Sequence, residues 1–417
     1  MPFLPLDPFV AGQQEGASLT DASSAAGARG KAVLRDVCGI VLAGTHHWGE
    51  GVFERVLRGP LLPVAHAPLI NYPLEWLRDA GVASAVVCAN SATASLRTVL
   101  GDGAAMSLAL KYFEDHEPRG PAGCARDASR MSDASVFVVV EGTIVPTLDF
   151  DAMLSAHRLS GAAATVVVEF DRRRRGMASG VRRQPAGIYA FERSALAAVS
   201  ENGYQDIKEG LLGRLNESGA HVAMHEVHGL SAKVLDYSSY AAVSRWLVSR
   251  AIERPAFLPH YVRVGEGLHH PTAVVHPSAR LIGPILLGAG VRIESDAVVV
   301  GPASIGERTV ISAQALVTRS FIWDDCHIGD GAMIDSSVLA DHCEVPPGER
   351  LTSVTQLPDQ YVSGDRQTPG SLDAVTVELM PSLDAATTRL RTGFGFGGVK
   401  SDEPSRFVAA RDQATMQ

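Results

Sequence analysis

The sequence predicts an α/β domain with a mainly parallel sheet, followed by a solenoid of short β-strands. Two rhythms carry this prediction. Strand-like apolar runs alternate with helix-like segments over residues 33–253, which is typical of an α/β fold. Aliphatic residues then recur every six positions over residues 271–349, which is typical of a stacked repeat. Residues 254–270 are predicted to link the two parts.

Both ends of the chain lack these rhythms. Residues 1–32 are rich in Ala, Ser, Gly and Gln, and a segment of this composition buries little apolar surface, so we predict a flexible N-terminal arm. Residues 350–417 contain one short apolar patch and are predicted to form a mostly flexible C-terminal tail.

The overall composition excludes several classes of protein. The 417 residues are 46% hydrophobic and 20% charged, with a formal net charge of −9. That charge disfavours a general nucleic-acid binder, because phosphate neutralisation needs a basic face. No apolar run is long enough to span a membrane and the N-terminus has no secretory signal, so we predict a cytoplasmic protein. The five cysteines form no CxxC pair and are predicted to be reduced packing residues.

The elements of the α/β part follow from local patterns. Asp206 is a plausible N-cap for a helix that carries Ile207, Leu211 and Leu215 on one face and closes at Gly219. A second helix is predicted from Tyr237 to about Glu253. The remaining predictions are strands at 38–43, 84–89, 135–140 and 163–169, and helices near 71–80 and 92–100.

The six-residue repeat defines the second part. The repeating aliphatic positions are Val275, Leu281, Leu287, Ile293, Val299, Ile305, Ile311 and Val317, and after a slip of one residue Ile322, Ile328, Ile334 and Ala340. A corner change near Trp323 would absorb the slip. The pattern resembles the left-handed parallel β-helix of hexapeptide-repeat proteins, in which three hexads make one triangular coil. Twelve hexads then predict about four coils, whereas a β-sandwich would show period two.

Residues 39–70 carry the first motif with chemical meaning, GIVLAGTHHWGEGVFERVLRGPLLPVAHAPLI. A short apolar strand ends in Ala43-Gly44, and PLLPV and PLI follow. The segment resembles the sugar-1-phosphate nucleotidyltransferases, whose first strand ends in L-A-G-G-x-G-T-R and is followed by P-K-P-L-L-P-V and P-L-I. The resemblance implies a Rossmann-like nucleotidyltransferase fold of the GT-A type for residues 33–253.

The phosphate-binding loop departs from the family pattern. In that loop glycine amides hold phosphate and an arginine neutralises pyrophosphate. Gly44 is kept and Thr45 stands at the second glycine. No arginine follows at the family spacing, but His46 and His47 are candidate phosphate donors. The family lysine aligns with Gly59, which leaves Arg58 as the candidate cation next to it.

The resemblance nominates further residues for a nucleotide or sugar pocket. GPAGCARDAS at 120–129 resembles the family's G-T-A-G-A-L segment, which implies that Gly120, Ala122 and Gly123 line the pocket. Gly187 lies in a match to the family's A-G-I-Y strand. The alternative for the glycine-rich segment is a plain turn before a helix.

Of the two metal-binding aspartates of the family, one is replaced in this sequence and the other has a match. FVVVEGTIV at 137–145 resembles the strand that ends in N-G-D, and Thr143 replaces its aspartate. Glu141 lies two residues earlier on the same strand face, where its longer side chain could approach the metal position, and it is a candidate residue of the nucleotide or sugar pocket. Asp236 in AKVLDYSSY resembles the second aspartate. The resemblance implies Mg²⁺ if the protein is active, with Asp236 as the candidate ligand.

Three functions are compatible with these residues. The first is a nucleotidyltransferase-like protein with an eroded active site, which binds a nucleotide or nucleotide sugar as a regulatory or scaffold subunit, with an active nucleotidyltransferase as a possible partner. The second is a divergent active enzyme that makes a nucleotide sugar from a sugar 1-phosphate and a nucleoside triphosphate. In it His46, His47 and the arginine run at 172–175 replace the lost cations.

The third function is a hexapeptide acyltransferase with a histidine base, for which the repeat region offers His270, His276, His327 and His342. All three functions are compatible with a homo-oligomer assembled through the β-helix. The missing loop arginine, lysine and metal aspartate rank the first function highest, because one preorganised charge contact commonly contributes about 2.7–4 kcal/mol of transition-state stabilisation.

Overall fold

A mainly parallel sheet covered by helices forms the first part of the computed structural model. The structure describes residues 32–44, 59–90, 93–117, 119–170, 183–227, 232–253, 258, 260–358 and 377–378. The elements of this part are β1 (Val37–Leu42), β2 (Pro63–Val64), β3 (Ala67–Pro68), α1 (Asn71–Asp79), β4 (Ser84–Asn90), α2 (Leu96–Leu100), β5 (Ala109–Asp115), α3 (Gly120–Ser129), β6 (Val136–Glu141), β7 (Ile144–Val145), α4 (Phe150–Ser160), β8 (Ala164–Phe170), β9 (Arg183–Glu192), α5 (Arg193–Ala197), a π-helical turn (Ile207–Leu212), α6 (Gly213–Glu217), β10 (Val222–Val227), β11 (Ala232–Lys233) and α7 (Tyr237–Glu253).

The sheet has seven strands in the order β10-β8-β9-β6-β1-β4-β5, and β9 alone among them runs antiparallel to its neighbours. One face packs against α1 and α4, through residues such as Leu77 and Met153. The other face packs against α3, α5 and the helical segment after Asp206. Strands buried on both faces are continuous apolar runs, which explains why the central ones were visible in the sequence. The predicted Rossmann-like class is confirmed.

The second part is a three-sided stack of parallel strands. Its strands are β12 (Val262–Val264), β13 (Gly267–His269), β14 (Val274–Val275), β15 (Arg280–Ile282), β16 (Ile285–Leu287), β17 (Arg292–Ile293), β18 (Val298–Val300), β19 (Ala303–Ile305), β20 (Val310–Ile311), β21 (Leu316–Thr318), β22 (Phe321–Ile322), β23 (His327–Ile328), β24 (Met333–Asp335), β25 (Val338–Leu339), β26 (Glu344–Val345), β27 (Arg350–Thr352) and β28 (Val354–Gln356), with β29 (Val377–Glu378) added at the edge. The three sheets are β12-β13-β16-β19-β22-β25-β28-β29, β14-β17-β20-β23-β26 and β15-β18-β21-β24-β27.

This topology confirms the predicted parallel β-helix and corrects two of its details. Three consecutive strands, one from each sheet, make one coil, so β14 to β28 make five coils. The repeat count predicted about four. The one-residue slip also recurs. Val299 pairs with Val317, eighteen residues on, but Ile322 pairs with Leu339, seventeen residues on. Leu339 therefore takes the inward position that was predicted for Ala340.

A shorter corner is the physical cause of the slip. Val300 pairs with Thr318 and Ser304 pairs with Phe321, so the turn that leads from β21 to β22 has one residue fewer than the turn from β18 to β19. The turn from β24 to β25 is shortened in the same way. The slip was expected near Trp323, and the shortened turn lies at 319–320.

The two parts share one apolar core. Buried residues of α7 and of the segment around β2 and β3 belong to the same cluster as the inward side chains of the β-helix. Trp323 Nε1 donates to Tyr240 Oη at 2.8 Å, and Tyr240 Oη donates to the Pro63 carbonyl at 2.7 Å. A buried hydrogen-bonded chain thus joins Trp323, which directly follows β22, to α7 and β2. Within the described residues no helix is long and apolar enough to cross a membrane.

Local predictions for the helices are also confirmed. Asp206 accepts hydrogen bonds from the Lys208 and Glu209 amides, as expected of an N-cap, and the helical segment that follows begins with a π-helical turn. The long helix spans Tyr237–Glu253, as predicted. The arm at 1–31 and most of the predicted tail lie outside the described residues. Strands β12 and β13 lie inside the predicted linker, and β27 and β28 inside the predicted tail.

Candidate functional site

The crevice at the carboxyl ends of β1 and β6 is the candidate functional site. The chain runs from β1 outward through β4 and β5 on one side, and β6 lies on the other side of β1. Strand order therefore reverses between β1 and β6. In open α/β sheets ligands bind outside the carboxyl ends of the strands at such a switch point. Leu42 and Glu141 are paired across it, and Gly44 follows two residues after Leu42.

Part of the first motif can be placed at this crevice. Gly44 is exposed, and a Cβ built on it would lie 3.4 Å from Asn90 Nδ2 at the end of β4. That distance is tight without being prohibitive, so the position tolerates a small side chain. Thr45, His46, His47 and Arg58, which the sequence nominated for phosphate binding, lie outside the described residues.

Glu141 forms an ion pair with Lys233 in the crevice. The Lys233 Nζ contacts Glu141 Oε2, and the two side chains are 15% and 26% exposed. The pair depends on a small two-stranded sheet, in which β11 pairs antiparallel with β7 and sets Lys233 opposite Ile144. Ile144 directly follows Thr143, so Lys233 is held beside the segment that ends β6. Partial exposure leaves the pair open to a ligand.

Lys208 adds a second cation to this cluster. Burial lowers the pKa of its ammonium to about 8, with the Lys233 charge acting in the same direction and Glu141, Asp206 and Glu209 opposing it. Desolvation penalises the charged form of a lysine, which is the expected sign. Lys208 is positioned by the N-cap at Asp206, whose carboxylate accepts its amide N–H at 2.6 Å. Two lysines and Glu141 therefore form one electrostatically coupled group.

Gly187 lies directly against Glu141. Its φ is +80°, and a Cβ at this position would lie 2.7 Å from Glu141 Oε1 and 2.5 Å from Ile144 Cδ1. Only glycine adopts this backbone at little cost and leaves room for the carboxylate. The nominated Gly187 thus belongs to the same crevice, where it sets the position of Glu141.

Gly120, Ala122 and Gly123 lie at the start of α3, whose first turn packs against the segment that carries Lys208. The Ala122 amide donates to the Gln205 carbonyl at 3.0 Å. Gly120 has φ +74°, and a Cβ there would lie 2.6 Å from the same carbonyl oxygen. These residues fix a close approach of α3 to residue 205, three positions before Lys208. The three residues belong to the first turn of α3 itself, and not to a turn that precedes it, and they support the crevice from one side.

Asp236 caps α7. The Ser239 amide donates to Asp236 Oδ1 at 2.8 Å, and Ser239 Oγ accepts the Asp236 amide N–H at 2.9 Å. This reciprocal arrangement is a capping box that satisfies amides at the helix start. The carboxylate nominated as a metal ligand therefore has a structural partner. Asp236 is joined to the crevice through Val234, whose amide donates to the Thr143 carbonyl at 2.9 Å.

The donors do not fit a magnesium site. Mg²⁺ prefers several oxygen ligands in near-octahedral geometry and draws them by charge. Glu141 is paired with Lys233, Asp236 caps α7 and residue 143 is a threonine. Over the part of the chain that the structure describes, no group of three or more His, Cys, Asp or Glu side chains is arranged to hold a metal ion.

The role of Asp236 can be tested by removing its carboxylate. We expect Asp236→Ala to lower the free energy of unfolding by about 1 kcal/mol, because the cap hydrogen bonds to α7 are lost. Urea denaturation followed by circular dichroism measures the change. Asp236→Ser is the matched control, since serine also caps helices. An equal loss in both variants would contradict the capping role.

Sequence reasoning missed Lys208 and Lys233. Both lie close in sequence to residues that were singled out. Lys208 is two positions after Asp206, and Lys233 is three positions before Asp236. The residues around Lys208 predict a helix cap and those around Lys233 predict a strand. Neither local pattern indicates that the lysine lies near Glu141. The contact depends on the pairing of β7 with β11, which are almost ninety residues apart.

Comparison with known families divides the chain where the fold does. Residues 54–187 match the nucleotidyl transferase family, and residues 263–369 match the GMPPB C-terminal domain. The first match runs from before β2 to Gly187 in β9, so it includes β4 and β6 and the residues Gly120 to Gly187 but begins after β1. The second covers the β-helix from β12 onward.

Curated relatives carry consistent names. The chain is 24% identical to a UTP–glucose-1-phosphate uridylyltransferase of Synechocystis sp., over 68% of this chain and 82% of the relative. It is 24% identical to a mannose-1-phosphate guanylyltransferase of Mycobacterium tuberculosis, over 56% and 70%. It is 25% identical to a glucose-1-phosphate thymidylyltransferase of Streptomyces griseus, over 73% and 91%.

Proposed function

We propose that the chain, a member of the sugar-1-phosphate nucleotidyltransferase family, binds a nucleotide or nucleotide sugar in the crevice between β1 and β6. It does so without catalysing nucleotidyl transfer. In this proposal it acts as a regulatory or scaffold subunit. Its partners are an active nucleotidyltransferase or further copies of the same chain.

One observation carries the proposal: the candidate metal ligand Asp236 and the crevice carboxylate Glu141 both have other partners. In nucleotidyl transfer negative charge lies on the oxygens of the α-phosphoryl group and on the departing pyrophosphate, and a metal ion with carboxylate ligands usually neutralises it. Glu141 is neutralised by Lys233, and Asp236 is held by Ser239. Threonine at 143 offers a hydroxyl, which binds Mg²⁺ poorly. Among the described residues the crevice has lysines that can bind anions, and its two carboxylates, Glu141 and Asp236, are already paired.

The shape of the crevice supports retention of binding. Gly187 and Gly120 both hold positive φ angles and both sit where a Cβ would strike a neighbouring group. Their conformations keep β9 and α3 close to Glu141 and to residue 205. A crevice of this form at the switch point of an α/β sheet is the usual place for a nucleotide.

An activity assay on the purified full-length chain tests the loss of catalysis. We expect no pyrophosphate above background from Mg²⁺ with UTP and glucose 1-phosphate, or with GTP and mannose 1-phosphate. The uridylyltransferase of Synechocystis serves as the positive control for the first pair. Clear turnover with either pair would overturn the proposal and favour the divergent active enzyme.

Thermal denaturation in the same preparation tests the retained binding. A ligand present at about 100 times its Kd stabilises the folded state by about 2.7 kcal/mol, so UDP-glucose or GDP-mannose should raise Tm by several degrees. If Tm is unchanged by these nucleotide sugars, by the nucleoside triphosphates and by both in Mg²⁺, the proposed binding is wrong. A scaffold role without a ligand would then remain.

A further inference from the structure

An ammonium group stands beside the carboxylate at the end of β6. Glu141 lies two residues before Thr143, the position at which the resemblance expects a metal-binding aspartate, and its partner is Lys233. The antiparallel pairing of β7 with β11 holds Lys233 there, so the contact is part of the fold and does not depend on a long mobile segment. The crevice thus contains a carboxylate paired with a fixed organic cation.

The lysine ammonium is chemically suited to phosphate. It is a compact point charge with three N–H donors, so a lysine that contacts a carboxylate can also donate to a phosphate oxygen. Its partial exposure of 15% keeps it in reach of a ligand while weakening competition from water.

Lys208 extends the positive region. It is close enough to Glu141 and Lys233 for their charges to act on it, and the acidic neighbours Asp206 and Glu209 act on it as well. Asp206 directs its Oδ1 at the Lys208 and Glu209 amides, so this carboxylate already stabilises the start of the helix. Glu209 is exposed. Lys233 therefore contacts Glu141 directly, and Lys208, on a separate element, lies within electrostatic range of both.

We propose that Lys233 and Lys208 bind the diphosphate group of the ligand, and that Lys233 supplies the positive charge that a divalent cation would otherwise supply, so that binding is independent of divalent metal. This inference rests on the proposed function, because it assigns the phosphate-binding groups of the same crevice. It goes further in naming the cations and in exempting the site from a metal requirement.

Titration calorimetry on the full-length chain tests the metal independence. The probes are GDP-mannose, UDP-glucose and inorganic pyrophosphate, each measured in EDTA and in millimolar Mg²⁺. We expect at least one probe to bind with the same Kd in both buffers. Binding that disappears in EDTA would overturn the inference, as would the absence of binding by all three probes in either buffer.

Lysine variants test the assignment of the cations. Lys233→Met should weaken probe binding by about tenfold to a hundredfold, since a hydrogen bond to a charged group contributes about 1.5–3 kcal/mol. Lys208→Met should weaken it in the same direction. Lys233→Arg retains the charge and should recover part of the affinity. Lys111→Met is the matched control, because Lys111 is exposed on β5, and its Kd should equal that of the wild type.

Loss of folding must be separated from loss of binding. Lys233→Met leaves the partly buried Glu141 without its partner, so the double variant Glu141→Gln/Lys233→Met removes both charges together. If the double variant folds with a normal Tm and still binds the probe as the wild type does, the lysine assignment is wrong. If it folds and has lost the probe, the assignment stands.

Mn²⁺ alone, followed by electron paramagnetic resonance, separates this inference from the proposed function. Suppose that Mn²⁺ binds at the site, is released in Glu141→Gln, and the protein shows no turnover. That result would overturn the metal independence and would leave the proposed function intact. Turnover in EDTA would have the opposite effect, since it would end the noncatalytic proposal and leave the lysine site in place.

Discussion

Trp323→Ala is expected to lower the free energy of unfolding by about 3–5 kcal/mol, which is the range for truncation of a large buried aromatic side chain. Trp323 is 4% exposed and lies in the core that α7 shares with the β-helix. Its indole N–H donates to Tyr240 Oη, which in turn donates to the Pro63 carbonyl. The substitution therefore opens a cavity and removes one link in a buried polar chain. Urea denaturation monitored by circular dichroism measures the loss.

Tyr240→Phe is the companion variant for this prediction. It keeps the ring, which packs edge-to-face against Trp323 at 6.3 Å, but removes the hydroxyl that joins both partners. The expected cost is about 1–3 kcal/mol, because the indole N–H and the Pro63 carbonyl are left without this partner. A double-mutant cycle with Trp323→Phe should show that the two costs are not additive. Full additivity, or a cost below about 1 kcal/mol for Trp323→Ala, would contradict the role given to this contact.

This interface has a consequence for the site. Pro63 belongs to the PLLPV run at 60–64, and Gly44 of the same 39–70 segment lies at the crevice. The β-helix holds that segment through Tyr240, and α7 begins at the Asp236 cap next to the crevice. The β-helix therefore packs against the same helix whose N-cap adjoins the crevice.

Most of the fold could be predicted because its signals are local. The central strands are apolar on both faces, so β1 and β6 appear as continuous hydrophobic runs. The start of the helical segment at 207 is specified by the Asp206 side chain and its own next amides. The six-residue rhythm records inward positions such as Ile293 and Ile311, both of which are buried.

The prediction of the inward row of the β-helix was wrong at Ala340. The preceding turn is one residue shorter there, while the residue types stay the same. Leu339 and Ala340 are both apolar and both fully buried. Hydrophobicity alone cannot tell which of them continues the inward row. The distinction lies in the length of the turn at 336–337, and a shortened turn has no compositional signature.

The site was harder to predict because its contacts are distant in sequence. Glu141 was nominated from a strand motif, yet its partner is more than ninety residues away and is placed by β11. Asp236 was interpreted through the resemblance as a metal ligand, whereas Ser239 three positions later carries an equally local signal for a helix cap. The resemblance directed attention to the crevice between β1 and β6, whereas the side-chain partners there come from the tertiary structure.

Gly306→Val is the second substitution with a large expected effect. Gly306 is buried at a corner of the β-helix, directly under the next coil. A Cβ here would lie 2.6 Å from the Trp323 carbonyl oxygen and 2.5 Å from Asp324 Oδ1. The Asp324 carboxylate crosses this point to accept the Glu307 amide at 2.8 Å. We expect the free energy of unfolding to fall by about 3 kcal/mol or more, measured by urea denaturation.

The size of that loss follows from what the valine side chain would meet. Backbone of a stacked coil cannot move aside as the end of a flexible side chain can, so the coils must separate or the Asp324 hydrogen bond must break. Gly213→Ala is the matched control. Gly213 is the first residue of α6 and has φ −58°, and a Cβ there meets nothing within 4 Å. Alanine should therefore stabilise the protein by about 0.4–1 kcal/mol, since it restricts the unfolded chain. If both substitutions shifted stability equally, close coil stacking at Gly306 would not be the reason for its glycine.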